Sequence, residues 1–206
     1  MAIYNRFILP NLIDTSCKLS PIMKQRAKIV PDAEGVVVEI GMGAAPNLGL
    51  YDPQKVRTVI GIEPNAGLRK KAARAMAQSA LDVRLLDGLA EELPLDSASA
   101  DTVVLTYTMC SLGDVPGAMS EIRRILKPGG RLLICEHGAA PDAGVLKWQQ
   151  RLEPVWKVFA GGCHLSRPID KLVEHNGFRF EKLTAEYMPK TPKIVAYDYI
   201  GAAKAS

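Results

Sequence analysis

The sequence predicts a single doubly wound α/β domain: an open, mostly parallel sheet with helices on both faces and an antiparallel C-terminal edge strand. Three observations lead there. Apolar strand-like runs alternate with helical stretches from residue 35 to residue 136, the pattern of parallel strands joined by crossover helices. A length of 206 residues suffices for one hydrophobic core rather than two. With 48% hydrophobic and 23% charged residues the composition is that of an ordinary globular chain, and no apolar run reaches the roughly 18 residues of a membrane span.

Residues 1–34 read as an N-terminal arm and helix. The segment Ile3–Ile13 is apolar and aromatic but interrupted by Pro10. Its Ile3, Tyr4, Phe7 and Ile8 suit a packed arm, with a lid or a lipid contact as alternatives. Ser20-Pro21 opens a helix running to about Val30, because proline is pre-set for a first turn. Residues 35–136 form the core, with strands expected at Val36–Ile40, Thr58–Ile62, Asp82–Leu86, Thr102–Thr106 and Arg131–Glu136. Between them Asn65 caps a helix over Ala66–Ala80. Asp114 caps another over Val115–Leu126, which Lys127-Pro128-Gly129-Gly130 stops.

Residues 137–167 form an insertion on the substrate side. Val145, Trp148, Leu152, Val155, Trp156 and Phe159 recur there at helical spacing; Pro154 is expected to kink or divide the helix and Gly161-Gly162 to end it. Residues 168–206 supply a helix at about Pro168–His175 and strands at Phe178–Tyr187 and near Lys193–Ile200, paired as a hairpin at the sheet edge.

The net charge of +4 is spread as +2 over residues 1–34, −2 over 35–144 and +4 over 145–206. That is no dense basic stripe, so a nucleic-acid partner is not expected. Cys17, Cys110, Cys135 and Cys163 lack metal spacing, and the N-terminus lacks the pattern of a secretory signal; both suit a reduced, cytoplasmic chain.

The candidate site begins where the first strand runs into Glu39-Ile40-Gly41-Met42-Gly43-Ala44-Ala45-Pro46. Gly41 and Gly43 would let the backbone approach a ligand closely. Glu63, 22 residues after Gly41 at the end of the second strand, is placed to accept both hydroxyls of a ribose. A dinucleotide turn wants a small residue where Pro46 stands, and Glu39 is awkward beside pyrophosphate. A sulfonium cofactor, S-adenosylmethionine, tolerates both.

Further along stand Leu85-Leu86-Asp87-Gly88-Leu89, then Asp101-Thr102-Val103-Val104-Leu105-Thr106-Tyr107, then Leu126-Lys127-Pro128-Gly129-Gly130-Arg131. In this order the set resembles the class I S-adenosylmethionine-dependent methyltransferases (the methyltransferase type 11 domain). The resemblance implies a Rossmann-like fold, with cofactor contacts from Pro64, Asp87, Gly88, Leu89, Thr106 and Tyr107 beside those above, and Asp87 near the adenine amino group. Gly41, Glu63, Asp87, Tyr107 and His137 all fall at the strands' carboxyl ends, where open α/β sheets bind ligands.

Glu136-His137-Gly138-Ala139-Ala140, Trp148 through Trp156 and Gly162-Cys163-His164-Leu165-Ser166-Arg167 resemble a narrower branch, whose animal members are small, membrane-associated alkyl-thiol methyltransferases. The hydrophobic anchor of those animal members has no counterpart in residues 1–34. The expectation is therefore a mainly soluble protein with at most weak peripheral membrane contact. A small-molecule acceptor, a hydrophobic thiol, follows from this resemblance. His137 is the candidate base and Arg167 a candidate for lowering a thiol pKa or binding an acidic substrate. Trp148, Trp156 and Cys163 are candidate pocket residues. No metal is expected, because Cys163 and His164 are adjacent and lack a third ligand. A quinone-like ring, a phospholipid amine, a nicotinamide-linked oxidoreductase and a non-catalytic cofactor-binding scaffold are the alternatives.

Overall fold

A computed structural model describes residues 9–206. The N-terminal part contributes α1 (Leu9–Cys17) and α2 (Ser20–Arg26). The core follows as β1 (Gly35–Ile40), β2 (Val56–Ile62), α3 (Ala66–Met76), β3 (Asp82–Leu86), β4 (Ala100–Thr106), α4 (Val115–Ile125) and β5 (Leu126–His137). Then come α5 (Ala143–Phe159), α6 (Ile169–His175), β6 (Phe178–Tyr187) and β7 (Tyr197–Ala205). No helix among the described residues is long and apolar enough to cross a membrane.

The seven strands form one sheet in the order β3-β2-β1-β4-β5-β7-β6. The first five are parallel; β7 runs antiparallel to both β5 and β6. The hairpin expected at the edge therefore forms with its last strand tucked inside, and β6 is the edge. Between β1 and β4 the direction of strand progression reverses, which opens a crevice at their carboxyl ends.

Strands buried on both faces read as continuous apolar runs, because successive side chains point to opposite sides. Val38, Val103 and Leu132 face a cluster with Met119 and Ile122 of α4, Val173 of α6 and Phe178. Their neighbours Val37, Val104 and Leu133 face the other, with Ile29, Val30 and Ala72 of α3. The alternation clothes the sheet with helices on both sides.

Several boundaries differ from the sequence reading. Pro10 is the second described residue of α1, so the interruption expected there falls at the edge of the described residues. Ile3, Tyr4, Phe7 and Ile8 lie outside the described residues. The second helix stops at Arg26 instead of Val30, where the chain tightens into a short 3-10 turn at Val30–Asp32. The last strand starts at Tyr197, after another short turn at Lys193–Val195.

Pro154 does not divide α5, which runs unbroken to Phe159. Its ring removes the hydrogen bond to the carbonyl of Gln150, and both residues are exposed, so water can serve that carbonyl. Gly161 and Gly162, at φ 63° and 87°, turn the chain away beyond the helix end. The apolar stripe is not what buries α5: Trp148 is 56% exposed and Leu152 44%. Gln149 anchors it instead, fully buried, accepting from Ala140 N and donating to the carbonyls of Gly138 and Ile194.

Both expected caps are present. Asn65 accepts from Leu68 N at 3.1 Å, and Asp114 accepts from Gly117 N at 3.0 Å. Asp114→Ala should lower unfolding stability by about 1 kcal/mol while Asp114→Asn stays close to wild type. Urea denaturation midpoints check this, and equal losses in the two variants would contradict it.

Candidate functional site

β1 delivers the chain into a turn that only glycine fits. Gly41 has φ 69°, and a Cβ there would lie 2.4 Å from Thr108 Oγ1. The N–H groups of Gly41 and Met42 donate to Ile62 O at 2.9 and 3.1 Å, lashing the turn to the end of β2. Just beyond β2 the buried Glu63 carboxylate accepts from Gly43 N at 2.9 Å and Asn65 N at 2.8 Å. Burial pushes this carboxyl above its ordinary value, and the two backbone donors pull it back. Arg69 donates to the carbonyls of Glu63 and Pro64 from α3.

A cavity of about 390 Å³ sits over these strand ends. Gly41, Gly43, Glu63 and Pro64 line it on one side, with Gly88, Leu89, Thr106 and Tyr107 also in its wall. All eight were read as cofactor contacts. Asp87 is not in the wall: it pairs with Arg69 at 2.8 Å, and its side chain is 69% exposed.

Glu39 is also absent from the wall. It lies beneath, where it accepts from Asn47 Nδ2 at 2.9 Å and Tyr51 OH at 2.6 Å; burial pushes its carboxyl up to about 7. It is thus a support rather than a neighbour of the ligand. Asn47 in turn donates to Thr106 Oγ1 at 3.0 Å and accepts from Arg26 Nη1 at 3.0 Å. Arg26, which also donates to Thr106, is 3% exposed and lines the cavity with its guanidinium 5.0 Å from the centre of the Tyr107 ring. Its Nε has no hydrogen-bond partner among the described residues. Nothing in the spacing around Arg26 signals this, because it sits on a short N-terminal helix outside the alternating core.

A second group lies beside the cavity. Glu136, in β5, accepts from the N–H groups of Thr108, Met109 and Cys110 at 2.7, 2.9 and 3.3 Å. That fixes the turn after β4, whose Thr108 and Ser111 line the cavity. The insertion is tied to the same turn: His164 N donates to Cys110 O at 2.8 Å, and Arg167 donates to the carbonyls of Met109 and Leu112. Arg167 is therefore engaged in holding two segments together and does not reach the cavity wall. His164 turns away to Glu153, Nδ1 to Oε1 3.0 Å.

Cys163 instead meets His137, Sγ to Nε2 3.6 Å, with Cys110 alongside. The Cys110 thiol and His137 hold Cys163 well below the ordinary thiol range against the effect of burial. Burial works to lower His137, yet Cys163, Glu136 and Asp198 outweigh it and raise the imidazole. Cys110 is buried, at 2% exposed. Trp148 and Trp156 lie outside the cavity wall, Trp148 with Arg151 5.4 Å from the centre of its ring. The helix turns Trp148 outward because its buried face is the Gln149 side, whereas the Trp156 side chain is hydrogen-bonded to Cys163.

Comparison with known proteins bears on this arrangement. Residues 38–134 match the methyltransferase domain family. A thiol S-methyltransferase of Rattus norvegicus is 32% identical over 160 residues, covering 76% of this chain and 64% of the relative. A second thiol S-methyltransferase, from Homo sapiens, is 29% identical over 177 residues, covering 84% and 72%. The chain thus spans just under two thirds of the length of the rat relative. In architecture it is similar to a SAM-dependent methyltransferase, possible histamine N-methyltransferase, of Thermotoga maritima (TM-score 0.72, 21% identity, 100% and 99% of the two chains covered).

Beneath the site, Asp198 of β7 stands opposite His137 in the ladder and is fully buried. One carboxylate oxygen accepts from Tyr107 OH at 2.8 Å; the other has no hydrogen-bond partner among the described residues. Burial pushes this carboxyl up from 3.8 to about 6, although Tyr107 and His137 pull it down. Between those values the native state holds a proton that the unfolded chain has lost. This group's contribution to stability therefore falls as pH rises from about 4 to about 6, then levels off. Asp198→Asn cannot ionise, so its stability relative to wild type should climb across that window. Denaturation at a series of pH values checks this; a difference independent of pH contradicts it.

Proposed function

Because residues 38–134 match the methyltransferase domain family, we propose that the chain moves the methyl group of S-adenosylmethionine onto a small acceptor, and that the acceptor is a hydrophobic thiol. The observation that carries the cofactor reading is the cavity at the strand ends, with the Glu63 carboxylate in its wall and the Gly41 turn leaving room for a close ligand. Glu63 suits the ribose hydroxyls. The unpartnered Nε of Arg26 suits the carboxylate of an amino-acid moiety. Pro46 also lines the cavity, where a dinucleotide turn needs a small residue. Glu39, being satisfied beneath the wall, no longer counts for or against either ligand.

The cofactor, when bound, supplies a sulfonium methyl that is already electrophilic, so the protein's task is chiefly to position the nucleophile. For a thiol it must also favour the thiolate. The thiol reading rests on the two relatives named for that activity and on the Cys110, His137 and Cys163 cluster beside the wall. Acceptor sulfur would attack the methyl carbon as the bond to the sulfonium breaks, that electron pair staying with the departing thioether. We assign removal of the thiol proton to His137. Arg167 acts on the site by positioning the Met109–Ser111 turn.

Incubating the purified protein with S-adenosylmethionine and a panel of thiols, phenols, quinols and amines tests the assignment. Short hydrophobic thiols should give methyl thioethers with equimolar demethylated cofactor. His137→Ala should lower kcat by about 10²-fold or more and leave cofactor affinity near wild type. Turnover of a quinol or an amine with none of any thiol would overturn the acceptor assignment.

A further inference from the structure

Three groups that lie far apart in sequence converge behind the cavity wall, where Ser111 and Gly161 line the cavity but none of the three does. Cys110 sits on the turn after β4, His137 closes β5, and Cys163 follows α5; one ligand atom from each lies within 4.8 Å of the others. For a thiolate about 2.3 Å and an imidazole nitrogen about 2.0 Å from a tetrahedral zinc ion, the sulfur–nitrogen edge is about 3.5 Å. The observed Cys163 Sγ to His137 Nε2 separation is 3.6 Å. We propose that Cys110, His137 and Cys163 bind one zinc ion and leave its fourth position open.

Each ligand is held in place by contacts that do not depend on an ion. Glu136 fixes the backbone of the Cys110 turn through three N–H groups. The β5–β7 ladder fixes His137, and the His164 N to Cys110 O bond ties the Cys163 turn to that of Cys110. Charge also closes. Two cysteine thiols release their protons to solvent, and two thiolates with a neutral imidazole make a zinc site of zero net charge, which a buried location tolerates. Asp198, opposite His137 in the ladder, adds a buried carboxyl whose charge favours a positive centre at His137. Soft sulfur ligands and imidazole in this number favour zinc over the hard cations, which take oxygen.

Three protein ligands and an open fourth position are the form of a catalytic rather than a structural zinc site. Ser111 and Gly161, neighbours of Cys110 and Cys163 along the chain, line the cavity, so the site borders the space read as the cofactor's. Resting on the thiol reading above, the fourth ligand is the acceptor sulfur. Coordination sends the thiol proton to solvent and holds the thiolate at the cavity edge. His137 then serves as a ligand, and the ion takes over the proton-removing role.

The full chain, stripped of metal and kept reduced, can be titrated with zinc in competition with a chromophoric chelator, and separately with cobalt. One zinc per chain should bind, and cobalt should give the absorption of a tetrahedral thiolate complex. Cys163→Ser, at the most exposed of the three positions, should weaken zinc by about 10²-fold or more. Cys110→Ser should behave alike, whereas His175→Ala and Cys17→Ser should bind as wild type does. Wild-type binding no tighter than that of Cys163→Ser would overturn the site. Zinc bound as predicted with no thiol methylated would leave the site standing and remove the thiol reading. Thiols methylated equally with and without zinc would leave that reading standing and remove the ion's part in it.

Discussion

The Glu63 carboxylate is the contact on which the strand-end crevice depends. Together with the Gly41 and Met42 bonds to Ile62 O, it joins the glycine turn after β1 to the entry to α3. Burying a carboxylate without partners costs several kcal/mol, so the backbone must bring N–H groups to it. That requirement dictates the neighbourhood. Gly43 and Asn65 present their amides to Glu63, Asn65 then caps α3 with its side chain, and the glycine turn pressed against Thr108 leaves no room for a Cβ at Gly41. The arrangement pre-forms the cavity wall before any ligand arrives.

The same device recurs at other strand ends. Glu136 of β5 gathers three backbone N–H groups and shapes the turn carrying Cys110. Glu39 of β1 holds Asn47 and Tyr51, and through Asn47 it steadies Arg26. Buried acids at the carboxyl ends of parallel strands thus organise both the cavity and the Cys110 turn beside it. Such groups are poor investments in stability alone, since removing one partner strands the other, but they fix geometry closely. The further sharing of Thr106 between Asn47 and Arg26 ties β4 into the same framework.

Much of this was legible in the sequence, and for definite reasons. Strands covered on both faces are largely apolar, so β1, β2 and β4 announce themselves, and Asn65 and Asp114 mark helix starts through local chemistry; Lys127–Gly130, read as a helix stop, already belongs to β5. Gly41, Gly43 and Glu63 were readable because their spacing follows from one turn and one crossover. What escaped depends on long-range placement. Arg26 reaches the cavity from a helix whose docking no periodicity encodes, and Cys110, His137 and Cys163 meet only because β4, β5 and the insertion fold together. The stripe on α5 is largely exposed, because helical spacing alone cannot say which face is covered. A single polar side chain, Gln149, decides that by satisfying three backbone groups.

The central claim is that the crevice built on Glu63 holds S-adenosylmethionine, and calorimetric titration of wild type and Glu63→Ala with that cofactor, its demethylated product and NAD tests it directly. Wild type should bind the first two and not the third. In a folded Glu63→Ala variant the affinity should fall by about 1.5–3 kcal/mol, the worth of hydrogen bonds to a charged acceptor. An unchanged dissociation constant in that variant, or tighter binding of NAD by wild type, would contradict the account.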